Sequence, residues 1–179
     1  MSATGLDVFD KTIQTTNIWL DEIMADIGPD RRVAWHVLSV VLRTLRDRVP
    51  LGLAAHLGSQ LPIIVRGTYY DQWSPSAEPL KLRTQEEFLA HVQEHLRDTR
   101  PVNPRNAVIA VFNVLSRHVP RGQCIKMREA LPADVQVLWH LDDAAEESAA
   151  ERATIGKAAQ NAQDARNYQS RPEGQRKQA

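Results

Sequence analysis

The sequence predicts an all-α protein: a tandem duplication of a roughly 70-residue four-helix unit, forming one bundle-like core and followed by a polar C-terminal tail. Three observations lead there. First, residues 41–65 lie on residues 111–135 without a gap, at an offset of 70. Val41, Leu45, Val49, Pro50 and Gly52 meet identical residues at Val111, Leu115, Val119, Pro120 and Gly122. Leu61, Pro62 and Val65 do the same at Leu131, Pro132 and Val135. Matching prolines, glycines and apolar positions at one offset mark an internal repeat. Second, apolar residues recur at three- and four-residue spacing, the period of a helix with one buried face. Third, glycine and proline punctuate the chain where those periodic runs stop.

The first helix is expected from about Thr12 to Asp26, stopped by Gly28-Pro29. A glycine tolerates the left-handed turn after a helix, and a proline cannot continue one. The second places Ala34, Val37, Leu38, Val41, Leu45 and Val49 on one face, and Val33, Val40 and Leu42 widen it. Pro50 ends it, because proline lacks the amide hydrogen and crowds the preceding turn. Two short helices follow, separated by Leu61-Pro62, and "SPSAEP" (74–79) is the loop between copies. In the second copy, Thr84-Gln-Glu-Glu87 reads as a capping box in which threonine and glutamate satisfy each other's free amides. The next helix opens at Asn103-Pro104, a cap then a proline in the first turn, and ends at Pro120. Two short helices again flank a Leu-Pro step at 131–132. Ile63-Ile64-Val65 is β-branched, but its counterpart Ala133-Asp134-Val135 is not, and no alternating partner strand accompanies it.

These boundaries set a duplicated helical domain at 9–141, with copies at 9–73 and 84–141. The remainder, 142–179, is rich in Ala, Glu and Gln. It carries five acidic residues and no basic one between Asp142 and Glu151, and basic residues predominate after Asp164. With few apolar anchors, a frayed helix followed by disorder is expected there.

Charge is balanced, 22 basic against 22 acidic side chains, with a pI near 7.0. Nucleic-acid binding would call for a basic excess, so it finds no support. Residues 1–30 show no basic segment leading into an apolar core, so no signal peptide is expected. The longest mostly apolar run, Val33–Leu42, falls far short of a membrane span. One cysteine, Cys124, excludes an internal disulfide. A cytoplasmic protein with no membrane partner is the expectation.

The segment Gln60-Leu61-Pro62, Arg66-Gly67-Thr68-Tyr69-Tyr70 and Trp73, then Glu87-Phe88-Leu89, together with the repeated Val-Pro-x-Gly turn, resembles the prokaryotic family called domain of unknown function 2267. The likeness runs from about Phe9 to Leu141. It implies an all-helical, duplicated fold and supplies no activity and no catalytic residues.

Several residues invite chemistry. His91-Val-Gln-Glu94-His95 fits H-x-x-E-H, in which two histidines one helical turn apart share a metal. A third ligand would have to come from elsewhere, and a histidine flanking the buried stripe of Phe88, Val92 and Leu96 is the plainer reading. His95 borders that stripe and His91 lies further round. Cys124 occupies the position of Ala54 in the other copy, where a small buried side chain serves as well as a nucleophile. The eight glycines are scattered and form no phosphate cradle. Arg31, Arg32, Arg43, Arg46 and Arg48 read as a solvated basic surface among Asp26, Asp30 and Asp47.

Only the first copy carries "RGTYYDQW". Gly67 faces Val137, which suggests that glycine supplies a backbone angle or a close approach. Arg66, Tyr69, Tyr70 and Trp73 are interface-type residues, and they serve equally as a clasp between repeats. The leading expectation is a non-enzymatic helical module binding a protein partner or itself, with no required cofactor. The alternatives are a metal-binding protein or hydrolase using His91 and His95, and a small-ligand sensor with a pocket between the repeats.

Overall fold

The computed structural model describes residues 5–141; the expected frayed tail at 142–179 lies outside them. Among the described residues every regular element is a helix: α1 (Asp7–Ile27), α2 (Arg31–Arg48), α3 (Leu51–Gln60), α4 (Ile63–Tyr70), α5 (Gln85–His95), α6 (Pro104–His118), α7 (Arg121–Glu129) and α8 (Ala133–Gln136). The fold is therefore all-α, and Ile63-Ile64-Val65 opens a helix.

Local chemistry sets most boundaries. Asp30 caps α2 by accepting the amides of Arg32 and Val33, at 3.0 and 3.2 Å. Asn103 does the same for α6, with Pro104 filling a first-turn position whose missing N–H costs nothing. Thr84 and Glu87 form the reciprocal capping box at the start of α5. Gly28 ends α1 at φ 108°, where its amide donates to the Met24 carbonyl at 2.9 Å. Pro50, Pro62, Pro120 and Pro132 each stand immediately before a helix.

One boundary differs: α1 begins at Asp7, more than a turn before Thr12. Asp7 and Asp10 lie in its first turn, where negative charge complements the helix dipole. The added turns are held by local propensity and charge, not by core contacts, since Val8, Phe9 and Ile13 are exposed.

The core lies along α2 and α6, which pack on each other. α1 packs on both, and so does α5. Farther out, α3 meets α7, α4 lies on α1 and α2, and α8 lies on α5 and α7. The helical stripe of α2 accordingly disappears from solvent, with Val37, Leu38, Val41, Leu42 and Leu45 fully buried. Val108, Val111, Phe112 and Leu115 of α6 face them from the same core. Complete burial of each such large side chain stabilises by about 1.5–3 kcal/mol, before chain entropy is set against it.

Candidate functional site

The residues of "RGTYYDQW" fall on α4 and the turn after it, and the structure shows what holds them. A helix end leaves carbonyls without intrahelical donors. At the end of α4 those donors come from α2. Arg43 donates to the Thr68 carbonyl at 2.9 Å, and to the Asp71 carboxylate at 2.7 Å. Arg46, 4% exposed, donates through one terminal nitrogen to the carbonyls of Tyr69 and Asp71. Its Nε and other terminal nitrogen grip Asp47 at 2.6 and 2.9 Å. The guanidinium also stands over two rings, 5.9 Å from the Tyr69 centroid and 5.7 Å from that of Trp73. The solvated basic surface expected from the sequence is thus corrected: Arg46 is a buried cation, tolerated because four hydrogen bonds, two of them to the Asp47 carboxylate, replace its water.

The aromatics complete the arrangement. Tyr69 is fully buried and donates to the Ala54 carbonyl at 2.8 Å. Burial raises its phenol well above the ordinary range, so it stays protonated. Tyr70 donates to the Ala55 carbonyl at 3.1 Å and stacks on Trp73 at 5.2 Å. Beyond Trp73 the chain returns to α2, where the Leu80 amide donates to the Asp47 carbonyl and Arg48 donates to the Leu82 carbonyl. Between this strap and α2 lies a cavity of about 260 Å³, bordered by Arg46, Asp47, Gln72, Trp73 and Glu78.

Tyr69, Tyr70 and Trp73 therefore hold α4, α3 and the connecting strap to α2. Arg66 is separate, donating to the carbonyls of Ser59 and Leu61 at 3.0 and 2.9 Å. The role expected for Gly67 fails. It is helical, and a Cβ there would meet nothing within 4 Å. The close approach is at Gly58 instead, where a Cβ would lie 2.0 Å from Tyr70 Oη. Sequence reasoning missed Gly58; the available signal was that its counterpart at the 70-residue offset is Arg128, which has no tyrosine to accommodate.

His91 and His95 do come together on α5, with ring centroids 4.3 Å apart. Their order of burial is the reverse of that expected, since His91 is half-buried and His95 exposed. Burial first, and the neighbouring His95 second, lower the pKa of His91. The Nδ1 of His95 faces the His91 carbonyl at 2.9 Å, and Glu94 pairs with Arg97 at 2.8 Å. Among the described residues no group of three His, Cys, Asp or Glu side chains converges as a metal centre. Cys124 is buried, and burial pushes its thiol up to about 11, away from the thiolate a nucleophile needs.

A second pocket, of about 310 Å³, opens between α1, the α3–α4 junction and the end of α6. Trp19 stands in its wall, stacked on His118 at 5.3 Å. Glu22, one turn further along α1, accepts from Arg117 at 2.9 Å and pairs with His118 Nε2 at 2.8 Å. Partial burial acts to raise the Glu22 pKa, but these two partners outweigh it and hold the carboxyl below its ordinary range. On another side of α1, Phe9 and Ile13 are exposed apolar residues four apart, and Leu6, exposed at the N-cap, precedes them.

Among the described residues no helix is long and apolar enough to cross a membrane. No curated protein matches the chain. The family model described as "Uncharacterized conserved protein (DUF2267)" matches residues 16–138, and the chain belongs to that family.

Proposed function

We propose that this is a non-enzymatic, cytoplasmic helical module that associates with a protein partner or with a second copy of itself. The observation that supports this reading is the group of Leu6, Phe9 and Ile13, each between 42% and 53% exposed. Phe9 and Ile13 extend a line that further along α1 includes the buried Thr16 and Leu20. The helix therefore carries its apolar face past the helices that cover it, and contiguous exposed apolar surface is a mark of association sites. Arg66, Tyr69, Tyr70 and Trp73 recede from this reading as direct contacts, since Arg66 Nη2 and the two tyrosine hydroxyls serve carbonyls of α3 and its C-cap, and Trp73 stacks on Tyr70.

The same reading includes a tandem duplication as the origin of the fold. Tyr69 and Trp139, Leu57 and Met127, Leu42 and Phe112, and Ala54 and Cys124 are pairs at one offset, and all eight side chains are buried. α1 packs on α2 and α6, as α5 packs on α6 and α2, which is the pairing a pseudo-two-fold arrangement requires.

The test is sedimentation velocity and affinity capture with the wild type beside Phe9→Asp/Ile13→Asp. Charges on an exposed stripe leave folding intact, which circular dichroism checks. Loss of self-association, or of one captured partner, is the expected result. A folded variant that sediments and captures as the wild type does sinks the proposal.

A further inference from the structure

The pocket on the other side of α1 has a composition of its own. Val8, Lys11, Thr12, Thr15 and Trp19 recur at three- and four-residue spacing, and so line it along one face of the helix. Leu61, Pro62, Ile63 and Arg66 form the opposite wall, and His118 closes the end nearest α6. Two cations, Lys11 and Arg66, thus border the pocket together with His118, which Glu22 engages, and no acidic side chain lines it. The apolar side chains of Val8, Leu61 and Ile63 occupy the rest of the wall.

Two donors are left over beside it. The indole N–H of Trp19, a residue 1% exposed, is buried with no acceptor, and so is Nε–H of Arg66. Buried donors of this kind are almost always satisfied by protein, water or ligand. The other polar groups nearby are already committed. Arg66 Nη2 serves Ser59 and Leu61, and the Thr15 hydroxyl donates to the Lys11 carbonyl. On α4 the Ile64 amide already donates to the Thr12 hydroxyl oxygen, at 3.4 Å. Only an acceptor, and preferably an anion, answers this set.

We propose that this pocket binds a small amphipathic carboxylate. The carboxylate is held by Arg66 and Lys11 and takes the Trp19 indole and Arg66 Nε donors with a slight opening of the wall. The hydrocarbon portion lies against Val8, Leu61 and Ile63. At about 310 Å³ the pocket is at the small end of ligand sites, which favours a short acyl or single-ring acid over a lipid with two chains. An arginine suits this role because its planar fork meets a carboxylate with directed hydrogen bonds. The proposal does not rest on the association reading, which uses a different side of α1.

Titration calorimetry of the full chain with octanoate tests it, with 1-octanol and inorganic phosphate as the uncharged and tail-free controls. Octanoate is expected to saturate one site per chain, and each control to bind at least tenfold more weakly. Lys11 is exposed and Lys11→Gln leaves the fold intact, so a several-fold loss of octanoate affinity is expected there. Arg66→Gln is expected to lose at least tenfold while retaining its circular dichroism spectrum. If Arg66→Gln unfolds, the Lys11→Gln result decides. Absence of saturable octanoate binding, equal binding of octanol, or unchanged affinity in Lys11→Gln overturns the proposal.

Discussion

Gly58 and Gly67 sit on adjacent helices and need opposite explanations. At Gly58 an added methyl would meet the Tyr70 ring, whose Cζ lies 2.4 Å from the Cβ position. At Gly67 it would meet open space in a helix interior. Gly58→Ala is therefore expected to cost roughly 1–3 kcal/mol by overpacking, with Tyr70 pushed off its bond to Ala55. Gly67→Ala is expected to gain about 0.5–1 kcal/mol, because alanine loses less backbone entropy in a helix. Urea unfolding of the two variants checks both signs at once, and equal shifts would refute the assignment. From the sequence, Gly67 drew attention because of its neighbours Arg66, Tyr69 and Tyr70. Nothing local reveals that Tyr70 reaches back to α3; the one signal for Gly58 is that Arg128 stands 70 residues further on.

Among the elements, α4 shows most plainly how one helix depends on another. It is eight residues long while α8, which starts 70 residues further on, is four. Arg46 accounts for the difference at its end. The residue at the same offset in α6 is Ser116, which instead accepts from the Trp139 indole at 2.9 Å. An arginine reaches two backbone carbonyls beyond the ring, and a serine reaches only the ring. Arg46→Leu keeps much of the volume but strands those carbonyls and Asp47. A loss of roughly 2–3 kcal/mol is expected, as for hydrogen bonds to a charged group. Amide hydrogen exchange over residues 68–73 should accelerate before the rest of the protein opens. Uniform exchange in the variant would show that α4 does not depend on this cap. Helix starts, in contrast, were legible at Thr84 and Asn103, because a cap bonds within three residues of itself.

At the level of the whole molecule, Glu22 ties α1 to Arg117 and His118 at the end of α6. Its folded pKa lies below the ordinary value, so the pair contributes stability above the unfolded pKa and loses it as pH falls through the folded one. Glu22→Gln is expected to be destabilised near neutrality, and its gap from the wild type to close in acid as the wild-type carboxylate protonates. Thermal melts of both proteins from neutral to acid pH check this; a gap that persists unchanged at low pH would refute it. The sequence by itself determined that the chain is helical, where most helices start and stop, and which apolar residues are buried, because spacing, caps and breakers act over a few residues. Only the tertiary structure decided that Arg46 is buried, that Gly58 and not Gly67 is constrained, and that cations and orphaned donors gather beside Trp19. Each of these depends on which distant elements meet, and desolvation and hydrogen bonding take their values from that meeting.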